Sequence, residues 1–181
     1  TTHLPTSKTL SQLPIPLCDQ GYLPPARQGI HCTGASFGPG DVQTDERAEE
    51  HRHNIGMLQH ALPHLALPPG DDDWQGHVAL RCNSNDYLPI AGMVPVLASF
   101  NERYDRIRHD RKQIIDAPAP VRPGLAVLTS LGSRGLSAAP LAAELVVDQL
   151  LGTLPPAPRY LQRAISPSRF AERALKRDTP L

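Results

Sequence analysis

Apolar and polar positions alternate only in short runs along the first half of the chain. Two strand-like runs, LCDQGYLPP and GIHCTGAS between Leu17 and Ser36, flank Ala26-Arg27-Gln28 and predict a hairpin. Before them, residues 1–16 carry Pro5, Pro14 and Pro16 and read as an irregular stretch without an opening strand, as if the chain began in mid-fold. Phe37-Gly38-Pro39-Gly40-Asp41 ends the strand pattern. Helical spacing then takes over. Thr44 suits an N-cap, Asp45, Glu46 and Glu49 suit the positive end of a helix dipole, and Ile55, Leu58 and Leu62 recur on one face. A helix is expected over 44–62, stopped by Pro63.

After the loop LPPGDDD, Trp74, Gly76, Val78 and Leu80 alternate loosely, which predicts a strand over 74–82 that runs through NSNDYLPIAG into a turn. Residues 99–118 carry Arg103, Arg106, Arg108, Arg111 and Lys112 without a clean apolar stripe and read as a solvated insertion. The clearest element follows. Leu125–Leu131 is a buried-type strand, Gly132-Ser133-Arg134-Gly135 a glycine loop, and about 138–151 a helix closed by Gly152 and Pro155. The last stretch, 157–181, is basic and there are no internal repeats.

Composition sharpens this picture in three ways. Proline is abundant at 20 of 181 residues, against an ordinary share of about 5%, so stiff ordered loops should join short elements. With 18 basic and 18 acidic residues there is no global field that calls for nucleic acid, although local clusters remain. Cys18, Cys32 and Cys82 form no CxxC pair and leave one over, which argues against a secreted disulfide framework and for a reducing cytoplasm. No apolar stretch approaches the roughly 20 residues of a membrane span, and TTHLPTSKTL is no signal peptide.

Strand, glycine loop and helix bring backbone N–H groups and a positive dipole to one point, the usual receiver of an anion. LGSRGLSAAP is neither GxGxxG nor a P-loop, so the motif alone is equally a tight turn that requires glycine. Arg81, before a turn, and Arg134, inside the loop, are both positioned by backbone. Together they would clamp a carboxylate; the alternative is that each pairs with a local acid such as Asp86. Tyr22 adds a hydroxyl to such a site or serves as a core aromatic. His51 and His53 point apart on a helix, and neither they nor His60 and His64 have a zinc-site spacing, so no metal is expected. No GxSxG elbow or Cys–His pair suggests a covalent nucleophile.

Taken in order, GYLPPARQGIHCTGASFGPGD, HVALRCNSNDYLPIAG and LAVLTSLGSRGLSAAPLAAELVVDQLL resemble the second half of the glycine oxidase and D-amino-acid oxidase superfamily. NDYLPIAGMVP, LGSRGLSAAPLAAELV and ISPSRFAERALKR narrow the resemblance to the C-terminal FAD-dependent oxidase half of the bifunctional enzymes that make 5-methylaminomethyl-2-thiouridine at the tRNA wobble position. It covers about residues 17–95 and 124–177. It implies a mixed α/β (α+β) piece. Residues 1–123 would be the second half of a substrate domain, with 99–118 as its insertion. Residues 124–153 would be the closing strand, loop and helix of an FAD domain, and 154–181 a basic extension. Antiparallel substrate-domain strands and one parallel strand are expected, with apolar surface exposed where further chain would pack.

The resemblance also implies a site. Leu131, Gly132, Ser133, Arg134, Gly135 and Leu136 would lie under the flavin pyrimidine ring, and Tyr22, Arg81 and Arg134 would hold the carboxylate of a glycine-like substrate. The flavin, not a side chain, would be the oxidant, removing hydride from a carboxymethylaminomethyl uridine and releasing glyoxylate. A separate methyltransferase half, using S-adenosylmethionine, would methylate the freed amine. The GxGxxG segment that carries the ADP part of FAD is absent here, so the cofactor requires the remainder of the same polypeptide. Arg81 beside Cys82 and the narrower match favour non-covalent FAD. Arg169, Arg173 and Lys176 of the basic tail are candidate tRNA contacts, against a plain solvated surface. Two other readings are an oxidase of free glycine or sarcosine-like amines and a non-catalytic binding module.

Overall fold

A computed structural model describes residues 1–67, 74–113, 115 and 117–180. Among the described residues it is a mixed α/β chain of small antiparallel sheets and six α-helices. It divides into two units, Thr1–Leu80 and Arg81–Leu181.

The first unit opens with a strand where an irregular stretch was expected. In β1 (Thr2–Pro5), Thr2 and Leu4 are fully buried while His3 and Pro5 are less so, the period-two pattern of a strand compressed into four residues. β1 pairs antiparallel with β4 (Ile30–Thr33), setting Thr2 opposite Thr33 and Leu4 opposite His31. β2 (Leu17–Cys18) pairs with β3 (Tyr22–Leu23), and Tyr22 N–H donates to Gly34 O at 2.8 Å, tying β3 to the end of β4. The expected hairpin is present. Arg27 and Ile30 exchange both backbone bonds across Gln28 and Gly29, whose φ values of 53° and 80° make the two-residue turn that suits twisted strands.

α1 (Ala48–Ala61) begins later than Thr44. The Asp41 carboxylate explains the delay: it accepts from Gln43 N–H at 2.9 Å and from Arg47 Nη1 at 2.6 Å, holding 41–47 as a loop. Leu4, Leu10, Leu23, Ile55 and Leu58 form the core of this unit, with Trp74 packed at its margin. Polar groups inside bond to one another, except Asn54 Oδ1, which has no partner among the described residues. Thr2 Oγ1 lies 2.9 Å from His51 Nδ1 and accepts from Asn54 Nδ2 at 3.1 Å. His31, fully buried, faces Pro24 O at 2.7 Å through Nδ1 and Thr6 Oγ1 at 3.0 Å through Nε2. A carbonyl only accepts, so Nδ1 carries the proton and this is a satisfied core histidine. The strand expected over 74–82 is absent. Gly76 makes a single bridge to Thr2 and the rest runs as loop; LPPGDDD lies mostly outside the described residues.

The second unit is built on a hairpin of β5 (Ile90–Pro95) and β6 (Val121–Thr129), paired antiparallel from Ile90 opposite Thr129 to Met93 opposite Ala126. A parallel partner was expected for this strand; among the described residues its partner is antiparallel β5. α4 (Gly135–Leu151) packs on the hairpin through buried Ala142 and Leu145 and ends at Gly152 in the left-handed conformation, as its composition foretold. Gln149 Oε1 accepts from Met93 N–H at 3.1 Å. A Cβ on Gly92 (φ 134°) would stand 2.8 Å from the same oxygen, so glycine is required there.

The arginine-rich segment is not a solvated insertion. It forms α2 (Leu97–Tyr104) and α3 (Arg106–His109), and Phe100, Tyr104 and Ile107 bury themselves against Ala171 and Leu175. These last two belong to α6 (Ser168–Arg177), which follows α5 (Arg159–Ile165). The stripe is three residues recurring at i, i+4 and i+7, hidden among exposed arginines. The Phe100 and Tyr104 rings stack at 4.3 Å, and Tyr104 Oη donates to Ala117 O at 2.6 Å. Burial raises the Tyr104 pKa above its ordinary value. Strand pairing and this second core thus draw 81–123, 124–153 and 154–181 into one unit.

A candidate cofactor and substrate site

The glycine loop sits where β6 turns into α4. Ser130 (φ 54°) ends the strand, Leu131 bridges antiparallel to Asn83, and Gly132–Arg134 form one 3₁₀ turn before the helix. Gly132 has φ 59°, and a Cβ there would meet Asn83 Oδ1 at 2.7 Å. The positive φ favours glycine here, and any Cβ would also have to displace the Asn83 side chain. No side chain caps α4. With no acidic residue in its first turn, the positive end of its dipole meets no carboxylate of its own helix.

The expected partners meet there in part. Arg81 Nη1 donates to Ser133 Oγ at 3.0 Å, so Arg81 is drawn to the loop that carries Arg134. Arg134 is exposed, and among the described residues its guanidinium has no ion-pair or hydrogen-bond partner. A depression of ≈ 720 Å³ opens beside the loop, walled by Leu128, Leu131, Gly132, Ser133, Leu136 and Ala139. Leu136 is 100% exposed, an unusual position for leucine at the head of a helix. Tyr22 lies on β3 in the first unit, partly exposed. Cys82 Sγ lies 3.4 Å from Ser130 Oγ, and that hydroxyl holds the thiol pKa below its ordinary value.

Asp86, the alternative partner considered for Arg81 and Arg134, pairs with neither. Arg169 Nε and Nη2 each donate to its carboxylate at 2.9 Å, and Arg173 Nη1 adds a third bond. Arg169 also donates to Ile165 O, Ser166 O and Leu88 O, and its side chain is only 5% exposed. The Arg169 guanidinium beside Asp86 keeps that carboxyl far below the usual carboxylate range. Arg169 is therefore a structural cation; a phosphate contact through it would have to displace Asp86. Arg173 is 43% exposed at its side chain, and Lys176 donates to Glu172 at 2.6 Å. Nothing in the spacing of Asp86 and Arg169, 83 residues apart, pointed to their pairing.

Fold and site define a mixed α/β unit with an apolar depression at a helix N-terminus, a glycine loop and two arginines on that loop's side. No family model matches the chain. It is 41% identical over 182 residues to the tRNA 5-methylaminomethyl-2-thiouridine biosynthesis bifunctional protein MnmC of Aeromonas salmonicida, an alignment that spans 99% of this chain and 27% of that protein. Proteins of the same name from Shewanella amazonensis and Pseudomonas putida are 37% and 38% identical, over 99% and 97% of this chain and 28% of each relative. The chain thus spans about a quarter of the length of the curated relatives it matches.

Proposed function

We propose that this chain is part of an FAD-dependent oxidoreductase that removes the carboxymethyl group of 5-carboxymethylaminomethyl-2-thiouridine at the tRNA wobble position, leaving 5-aminomethyl-2-thiouridine. One observation carries the reading: Arg81 is bonded to the glycine loop that carries Arg134, on the rim of an apolar depression at the N-terminus of α4. The residues fit a flavin. Leu131, Leu136 and Ala139 offer an apolar wall, and the N-terminus of α4, which has no side-chain cap, would lie where a pyrimidine edge gathers negative charge. Bound there, the flavin supplies the hydride acceptor.

The chain's own residues do the positioning. Two guanidinium groups bind the terminal carboxylate of the carboxymethylamino group in bidentate fashion, and this holds its methylene in register for hydride loss. Water then hydrolyses the imine to glyoxylate and the primary amine. Ser133 orients Arg81 between turnovers. A methyltransferase half elsewhere in the polypeptide, supplied with S-adenosylmethionine, would methylate that amine. The exposed apolar residues of β6 and α4, among them Leu125, Val147 and Leu151, suit cover by the FAD-binding remainder of the same polypeptide.

The test is a flavin spectrum of the longer protein that carries this chain, after incubation with FAD and desalting. A retained flavin band, bleached anaerobically by tRNA bearing the carboxymethylaminomethyl uridine, is expected, with the colour released by acid. Arg134→Ala should cut kcat/KM about 10²-fold, the order of a bidentate charged contact. Failure to bind FAD would overturn the reading. Turnover of N-methylglycine but not of tRNA would favour a small-amine oxidase, which shares the same clamp.

A further inference from the structure

Tyr87 is the residue the site leaves unexplained. It is 80% exposed, although the turn around it is among the most heavily bonded segments of the unit. Its φ is 59°, in the left-handed region that disfavours residues with a Cβ. Tyr87 N–H donates to Ser84 O at 3.1 Å and closes a four-residue turn. Ser84 Oγ lies 2.8 Å from Asp86 Oδ1 and 2.6 Å from Leu88 O, and Leu88 N–H donates to Asp86 at 3.2 Å. Arg169 then clamps both Asp86 and Leu88 O, the residues on either side of Tyr87. The flanking residues are immobilised, while the ring itself has no aromatic, cationic or hydrogen-bond partner among the described residues.

This turn begins one residue after Asn83, whose bridge to Leu131 fixes it to the glycine loop. An aromatic ring presented on a rigid turn whose Asp86 is bonded by Arg169 and Arg173 has the properties of a stacking platform for an unpaired base. Rigidity matters because a ring already fixed in its backbone loses little freedom on stacking. We infer that Tyr87 stacks on a base of the single-stranded anticodon segment, so that it selects an RNA substrate over a free amine. The inference rests on the proposed oxidase reading, and it assigns a contact that neither the clamp nor the flavin wall provides. Arg173, 43% exposed at its side chain and bonded to Asp86, keeps a cation beside the turn for the phosphates that accompany the base.

The experiment compares Tyr87→Ala, Tyr87→Phe and wild type in the longer, flavin-loaded protein, with three readouts: affinity for an anticodon stem–loop RNA, kcat and KM for modified tRNA, and turnover of N-methylglycine. Stacking predicts a ten- to hundredfold loss of RNA affinity and a matching rise in KM for Tyr87→Ala, with kcat and N-methylglycine turnover unchanged and Tyr87→Phe close to wild type. Unchanged RNA affinity in Tyr87→Ala overturns the inference. So does an equal loss on both substrates with reduced flavin content, which would make the ring a packing contact with another part of the polypeptide. Wild-type protein that oxidises neither substrate defeats the parent reading instead, and is a distinguishable result.

Discussion

Replacing Asp86 by Asn isolates the interaction that holds α6 to the turn before β5. The carboxylate is 17% exposed and neutralises Arg169, whose side chain is 5% exposed, with Arg173 as a second cation. Removing the negative charge leaves a buried guanidinium with carbonyl partners but no counter-ion, and breaking such a pair costs about 3–5 kcal/mol. The lower end, about 3 kcal/mol, applies because Ile165 O, Ser166 O and Leu88 O remain to Arg169. With a urea slope of about 1.5 kcal/mol per molar, the midpoint should fall by about 2 M in circular dichroism at pH 7. A second variant tests the mechanism. Arg169→Met combined with Asp86→Asn should recover about half of the loss, since a neutral pair leaves no buried charge behind. The sign with pH is fixed: Asp86 titrates lower when folded, so its stabilisation is complete above about pH 4, the unfolded carboxylate value, and drains away as pH falls below that. Wild type should therefore lose stability faster than Asp86→Asn between about pH 4 and pH 2. A midpoint for Asp86→Asn within about 0.3 M of wild type, roughly 0.5 kcal/mol at that slope, would refute the reasoning.

Other consequences are simpler to state. Ile107→Ala should destabilise the protein by about 2–4 kcal/mol while Arg106→Ala stays within about 0.5 kcal/mol, measured by urea unfolding, because only Ile107 faces α6. Gly132→Ala must push its Cβ against Asn83 Oδ1 at positive φ, so the longer protein should retain less flavin after desalting than wild type, with unchanged retention counting against the loop assignment. Cys82, exposed and hydrogen-bonded to Ser130, should alkylate with iodoacetamide at neutral pH faster than exposed Cys18, and Ser130→Ala should slow it, as peptide mapping would report.

What the sequence determined by itself is local. The hairpin at Gln28-Gly29, the helix through Ile55 and Leu58, and the strand, glycine loop and helix from β6 to Gly152 all follow from periodicity and from residues with special backbone freedom, signals confined to a few neighbouring positions. The loop residues Leu131–Leu136 were legible for the same reason, since glycine and helix start lie side by side in the chain. Only the tertiary structure decided what depends on distant partners. β1 forms because Thr2 and Leu4 meet β4 some thirty residues on, whereas the strand expected over 74–82 finds only the single bridge at Gly76. The arginine-rich segment is core on one face because α6 covers Phe100 and Ile107. Asp86 binds Arg169 and not Arg81, and that ion pair, joining residues 83 positions apart, is what presents Tyr87 to solvent. Burial and pairing of this kind carry no period in sequence; they arise when the folded chain brings a charge and its counter-ion out of water together.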